Sequence, residues 1–328
     1  MIPRQTRRIR LFVPALVLLA LLMIVPVTIA QTPQYSPADC PLDVADNVEC
    51  GYLIVPEDRS NPNSPDIWLA VAIVRSEGAT LPDPIVYLEG GPGGSALTAL
   101  DAWYNTVYGE NRDIILIDQR GTGYSEPGLF CGEGGDSEVD ETRACRNELE
   151  AQGIDLAAYT SAANAADVED LRIALGYDQI NLYGVSYGTR LAMTVMRDFP
   201  DGIRSVVLDS PFPPAADVFN EDGVNFYYGL TELAADCAAN AACNAAFPDL
   251  ERFFVDLVNR ANENPLIIGD EEVFGTDLVE QLYQNFYDTK IIPFLPAIIY
   301  DTAAGSEDAY IAFEESLDSE LFGDENGS

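Results

Sequence analysis

The sequence predicts an α/β fold: a doubly wound, mostly parallel sheet with a helical insertion, lacking its last core strands. Short apolar runs alternate with helical stretches through the first two thirds of the chain, as in strands joined by covering helices. After Pro211 the strand signals stop and helical ones continue alone. A chain of 328 residues that is 48% hydrophobic can bury one large core, or a core with an insertion. The expected organisation is an export signal or membrane anchor over 1–30, the amino-terminal part of the core over 31–212, and an incomplete helical insertion over 213–328.

The first element is the export segment. Arg4, Arg7, Arg8 and Arg10 precede an apolar run over 11–30 broken only by Pro14, Pro26 and Thr28. About twenty apolar residues also suffice to span a bilayer, so membrane anchorage through residues 11–30 is the alternative to cleavage. Either way the bulk of the chain is expected outside the cytoplasm, and the Arg7-Arg8 pair is only a weak match to a twin-arginine signal.

Residues 50–55 and 67–74 are apolar and β-prone, with Pro56, Asn61, Pro62, Asn63 and Pro65 between them, which predicts an opening hairpin. Further strands are predicted over 84–88, 113–118, 179–183 and 205–208, buried on both faces. The clearest helix precedes the third of these, with Ala166, Leu171, Ala174 and Leu175 on its apolar stripe and Gly176 as its stop. Helices without strands are expected over 228–238, 250–262 and 277–287, and the small, polar stretch 323–328 reads as a loop or an arbitrary stop.

Gly184-Val185-Ser186-Tyr187-Gly188 is a G-x-S-x-G sequence between a strand signal and a helix signal, the context of a nucleophile elbow. Its glycines allow a sharp turn with Ser186 at the tip, where larger side chains would collide. The competing reading makes Ser186 a helix cap. Directly after the strand ending at Leu88 comes Glu89-Gly90-Gly91-Pro92-Gly93-Gly94-Ser95. Backbone amides of such a loop can face a developing oxyanion, with Gly91 and Tyr187 as the expected donors and Gly90, Pro92 and Gly93 as support. A phosphate loop is opposed by the absent G-x-x-x-x-G-K-[ST] pattern. Asp118 and Arg120, in the run 118–125, are expected to buttress the site through hydrogen bonds and not to react.

The formal charge of −37 excludes a nucleic-acid partner, because phosphate binding needs clustered Lys and Arg. Such a charge repels itself at low salt and points to a saline or acidic setting; an acidic secreted protein kept soluble fits equally well. Six cysteines in an exported chain with no histidine and no C-x-x-C fit disulfides better than metal. Proximity favours Cys40 with Cys50, Cys131 with Cys145 and Cys237 with Cys243. No metal or organic cofactor is expected.

The three motifs, in this order and spacing, resemble the prolyl aminopeptidase and tripeptidyl aminopeptidase group of α/β-hydrolase serine peptidases, from about residue 50 to 214. In that group His usually stands where this chain has Glu89, and the oxyanion role of Gly91 survives the change. The resemblance implies a helical cap after the sixth strand, with a cysteine pair like Cys237 and Cys243. It also implies release of short amino-terminal units from a peptide, or a small acyl substrate, by an acyl-enzyme route, with the cap selecting a free amino end. An exported esterase or lipase-like hydrolase and a non-catalytic binding module are the alternatives.

The mechanism of that fold needs an acid and a histidine after the nucleophile. The chain contains no histidine, and Lys290, the only lysine, reads as a surface charge. No strands that would carry the missing pair are visible after the cap-like region, so truncation within the cap is expected. Loss of both catalytic groups implies an inactive chain, and an uncovered strand edge implies poor solubility.

Overall fold

The computed structural model describes residues 33–76, 78, 80–104, 106–131 and 137–314. The proposed export segment 1–30 and the polar end 323–328 lie outside these. The chain divides into two compact units between Ala215 and Ala216.

The first unit is built on a seven-stranded sheet of order β1-β2-β3-β5-β4-β6-β7. Strands β1 (Gln34–Ala38), β2 (Val48–Pro56) and β3 (Asp66–Val74) form an antiparallel meander at one side. Strands β4 (Ile85–Leu88), β5 (Ile114–Ile117), β6 (Ile180–Val185) and β7 (Ile203–Asp209) run parallel to their neighbours among these four, and β3 joins β5 antiparallel. Side chains two apart share a face: Val86, Leu88, Ile115 and Ile117 enter one core, while Tyr87, Ile114 and Leu116 enter the other. Burial on both faces explains the unbroken apolar runs of β4, β5 and β6, whereas the expectation is corrected at β7, which lies at the sheet edge and exposes Ser205 and Val207. The hairpin β2–β3 and the four later strands lie where the sequence predicts them. Strand β1 carries no strand signal in the sequence, because QYSPA holds a proline that only an edge position tolerates.

Helices α1 (Glu138–Ala151), α2 (Ser161–Ala174) and α3 (Tyr187–Asp198) complete this unit. On α2 the expected stripe is corrected. Leu171 is buried as expected and Ala174 and Leu175 pack against the same core, but Ala166 is only half-buried, and Asn164, Ala165, Asp167 and Val168 are buried as well. Polar residues take the inner face because Asn164 and Asp167 bind Arg120. Gly176 follows the cap residue Leu175 with φ of 78°, a conformation that suits glycine and stops the helix.

The second unit has its own core, formed by α4 (Val218–Ala239), α6 (Leu250–Glu263), α7 (Gly275–Asn285), α8 (Leu295–Ala303) and α9 (Glu307–Glu314), with the short α5 (Ala241–Ala246) beside them. The expectation of helices alone is corrected by the hairpin β8 (Leu266–Ile268) and β9 (Glu271–Val273). Gly269, at φ of 59°, helps turn it, and three residues per strand are too few to show a period. Disulfides join Cys40 to Cys50, Cys131 to Cys145 and Cys237 to Cys243, the pairs that proximity favours. No helix among the described residues is long and apolar enough to cross a membrane.

Candidate active site

Strand β6 ends at Val185 and α3 begins at Tyr187, so Ser186 alone makes the turn between them. It does so at φ 53° and ψ −120°, a region that costs a non-glycine residue about 1–3 kcal/mol and persists only where the surroundings impose it. They do. The Ser186 amide donates to the carbonyl of Asp209 on β7 at 2.9 Å. A Cβ on Gly188 would overlap the carbonyl of Leu88, and one on Gly184 would overlap that of Gly188. The two flanking glycines thus let the end of β4 and the first turn of α3 close around the turn. Ser186 occupies the cap position of α3, yet its side chain makes no capping bond and is exposed. Thr189 performs the local bonding instead, its hydroxyl donating to the Ser186 carbonyl at 2.6 Å and accepting from the Phe212 amide at 2.7 Å.

The glycine loop lies against this turn. A methyl group on Gly90 would stand 3.0 Å from Ser186 Cβ and 3.6 Å from Oγ. Gly91 and Gly93 hold φ of 103° and 111°, either side of Pro92, conformations that L side chains rarely adopt. Tyr187 opens α3, so its amide is among the first-turn donors without a carbonyl one turn back. Glu89 is tied at both oxygens: Gly90 N donates to Oε1 at 2.6 Å and Tyr87 Oη to Oε2 at 2.7 Å.

Asp118 and Arg120 sit in two separate networks. The Asp118 carboxylate accepts from Ser95 Oγ, Leu97 N and Tyr124 N at 2.8–3.1 Å, which ties the chain after the glycine loop to the turn after β5. Burial holds its pKa above the ordinary carboxylate value, and those donors offset only part of the rise. Arg120 is fully buried and grips Asp167 through two bonds of 2.8 Å from Nε and Nη2, while Nη1 donates to the carbonyls of Glu57 and Ala158. Asp167, Glu57 and the Tyr183–Asp209 hydrogen bond of 3.0 Å carry no short motif and are not found from the sequence, whereas Glu89, read there as the head of the glycine loop, gains its bonding partners only in the fold. Among the described residues no group of His, Cys, Asp or Glu is arranged to hold a metal ion.

Residues 83–291 match the family described as alpha/beta hydrolase fold. Serine protease Hip1 of Mycobacterium tuberculosis is 30% identical over 220 residues, covering 59% of this chain and 42% of that protein. The tripeptidyl aminopeptidase of Streptomyces coelicolor is 32% identical over 209 residues, covering 55% of this chain and 38% of the relative. This chain therefore matches less than half the length of either relative. A solved proline iminopeptidase from Mycobacterium smegmatis is 18% identical, covering 69% of this chain and 66% of that one, with a TM-score of 0.35. With the family match spanning well over half its length, the chain belongs to the α/β-hydrolase fold family.

Proposed function

We propose that this chain is the nucleophile-bearing part of an exported serine hydrolase that releases amino-terminal residues or short peptides through an acyl-enzyme on Ser186. The observation that carries the reading is Ser186 itself, a strained residue with an exposed hydroxyl packed against a glycine loop. The names of the similar proteins favour a peptide substrate. Three disulfides and the arginine-then-apolar start of the chain favour export.

In this mechanism Ser186 Oγ bonds to the substrate carbonyl carbon while its proton passes to a base. The carbonyl oxygen becomes an oxyanion facing the amides of Gly91 and Tyr187. Collapse breaks the C–N bond, the amine leaves with the proton, and water releases the acyl group from Ser186. The chain has no histidine, so the base is not an imidazole of these 328 residues. Without a base the rate falls by about three to six powers of ten, and this chain alone is inactive.

Free imidazole replaces the missing group in the test. The chain with p-nitrophenyl acetate, and with a peptide amide bearing a free amino end, is expected to show no rate above Ser186→Ala until imidazole is added. A Ser186-dependent excess is then expected with both substrates. Equal rates for the chain and Ser186→Ala throughout would sink the reading, and an excess confined to the ester would make the parent an esterase.

A further inference from the structure

The carboxylate of Glu89 stands beside the nucleophile turn, and the reaction described above does not use it. We propose that Glu89, held by Tyr87, is a positioning residue that sets the Gly90–Gly91 peptide against Ser186; this rests on reading Ser186 as the nucleophile.

Each oxygen of the carboxylate has its own donor, the Gly90 amide at 2.6 Å and Tyr87 Oη at 2.7 Å, and charge-assisted bonds of this kind are about twice as strong as neutral ones. The Glu89 carbonyl is held in turn by Gln119 Nε2 at 3.1 Å. The Tyr87 ring is itself buried and packed against two others, with its centroid 4.8 Å from that of Trp103 and 6.3 Å from that of Tyr183. Tyr183 Oη donates to Asp209, and the carbonyl of Asp209 accepts from the Ser186 amide. A closed circuit of contacts therefore runs from Gly90 through Glu89, Tyr87, Tyr183 and Asp209 to Ser186, and returns where Gly90 abuts Ser186. Gly91 and Gly93 have no side chains to anchor the loop, so its position depends on tethers at its two ends, Glu89 before it and the Asp118 bonds to Ser95 and Leu97 after it. A carboxylate next to an oxyanion site would ordinarily oppose the developing charge. Its two donors offset that opposition while using the charge to orient the peptide.

Exchange of the Gly90 amide proton, followed by NMR on the full chain, reads the clamp directly. The imidazole-assisted, Ser186-dependent rate reads its consequence. Glu89→Ala and Tyr87→Phe are expected to raise Gly90 exchange about tenfold and to lower kcat about tenfold with KM unchanged. Glu89→Gln keeps an oxygen for the Gly90 amide and is expected to restore both within about twofold. Tyr87→Phe and Glu89→Gln preserve volume, so the comparison survives if Glu89→Ala does not fold. Unchanged exchange in Tyr87→Phe overturns the clamp. Faster exchange with an unchanged rate, or Glu89→Gln failing as Glu89→Ala does, overturns the positioning role. No Ser186-dependent rate in the unmodified chain overturns the nucleophile and its positioning together, while Gly90 exchange separately reports whether the loop is held.

Discussion

Ser186→Gly separates strain from chemistry. Glycine adopts φ of 53° without penalty, so this variant is expected to gain about 1–3 kcal/mol in urea unfolding while losing all Ser186-dependent reaction. A variant no more stable than the unmodified chain would show that the turn is not strained. Arg120 is the opposite case. Its removal takes two bonds from the buried Asp167 carboxylate and leaves it only Arg59, so Arg120→Ala is expected to cost about 3 kcal/mol, and Arg120→Lys to recover little, because lysine lacks the two-pronged grip. The phenols of Tyr87 and Tyr159 are raised above their ordinary value first by burial, then by bonds to Glu89 and Glu57. A raised pKa stabilises the fold below the unfolded value of about 10 and is lost as pH climbs through the folded one, so alkaline unfolding should set in only above about pH 10. An ultraviolet titration in which all tyrosines ionise freely at pH 10 would contradict this. Ser186 was legible because its flanking glycines are sequence neighbours. Glu89 was legible only as a departure from a family pattern, since the chemistry of its bonds emerges once β4 and the glycine loop are folded.

Among the secondary elements, those with a full period or a sharp boundary were readable and the short or polar ones were not. Hairpin β8–β9 is too brief for alternation to register, and β1 is masked by its proline. The buried face of α2 deviates because the buried Arg120 draws Asn164 and Asp167 inward, a tertiary demand that no helical period encodes. Loop length orders the three disulfides. Cys131–Cys145, Cys40–Cys50 and Cys237–Cys243, with separations of 14, 10 and 6, should contribute in that order, from about 3 to about 2 kcal/mol. Paired Cys→Ala variants melted under identical conditions check the ranking, and a reversed order would refute it. Strand β7 ends the sheet, and Val207 on it is 47% exposed. Val207→Lys is therefore expected to reduce self-association in light scattering without lowering the melting temperature.

At the scale of the whole molecule, charge is the most legible property and is unevenly spread. Residues 216–328 carry 24 of the 54 acidic side chains but only Arg252, Arg260 and Lys290 among the 17 basic ones. Shortening the screening length from about 30 Å to about 8 Å, by raising salt from 0.01 M to 0.15 M, is expected to raise the melting temperature, most for transitions reported by this second unit. Insensitivity to salt would set the self-repulsion argument aside. The divide after Pro211 was visible as a change of pattern, since helices that bury one stripe read differently from strands buried on both faces. The bond from the Ser186 amide to the Asp209 carbonyl also bears on chronology. A chain synthesised from its amino end presents Ser186 before Asp209 exists, so the turn lacks one of its restraints until β7 has been made and docked. A nascent chain halted short of Asp209 therefore holds Ser186 without that backbone restraint.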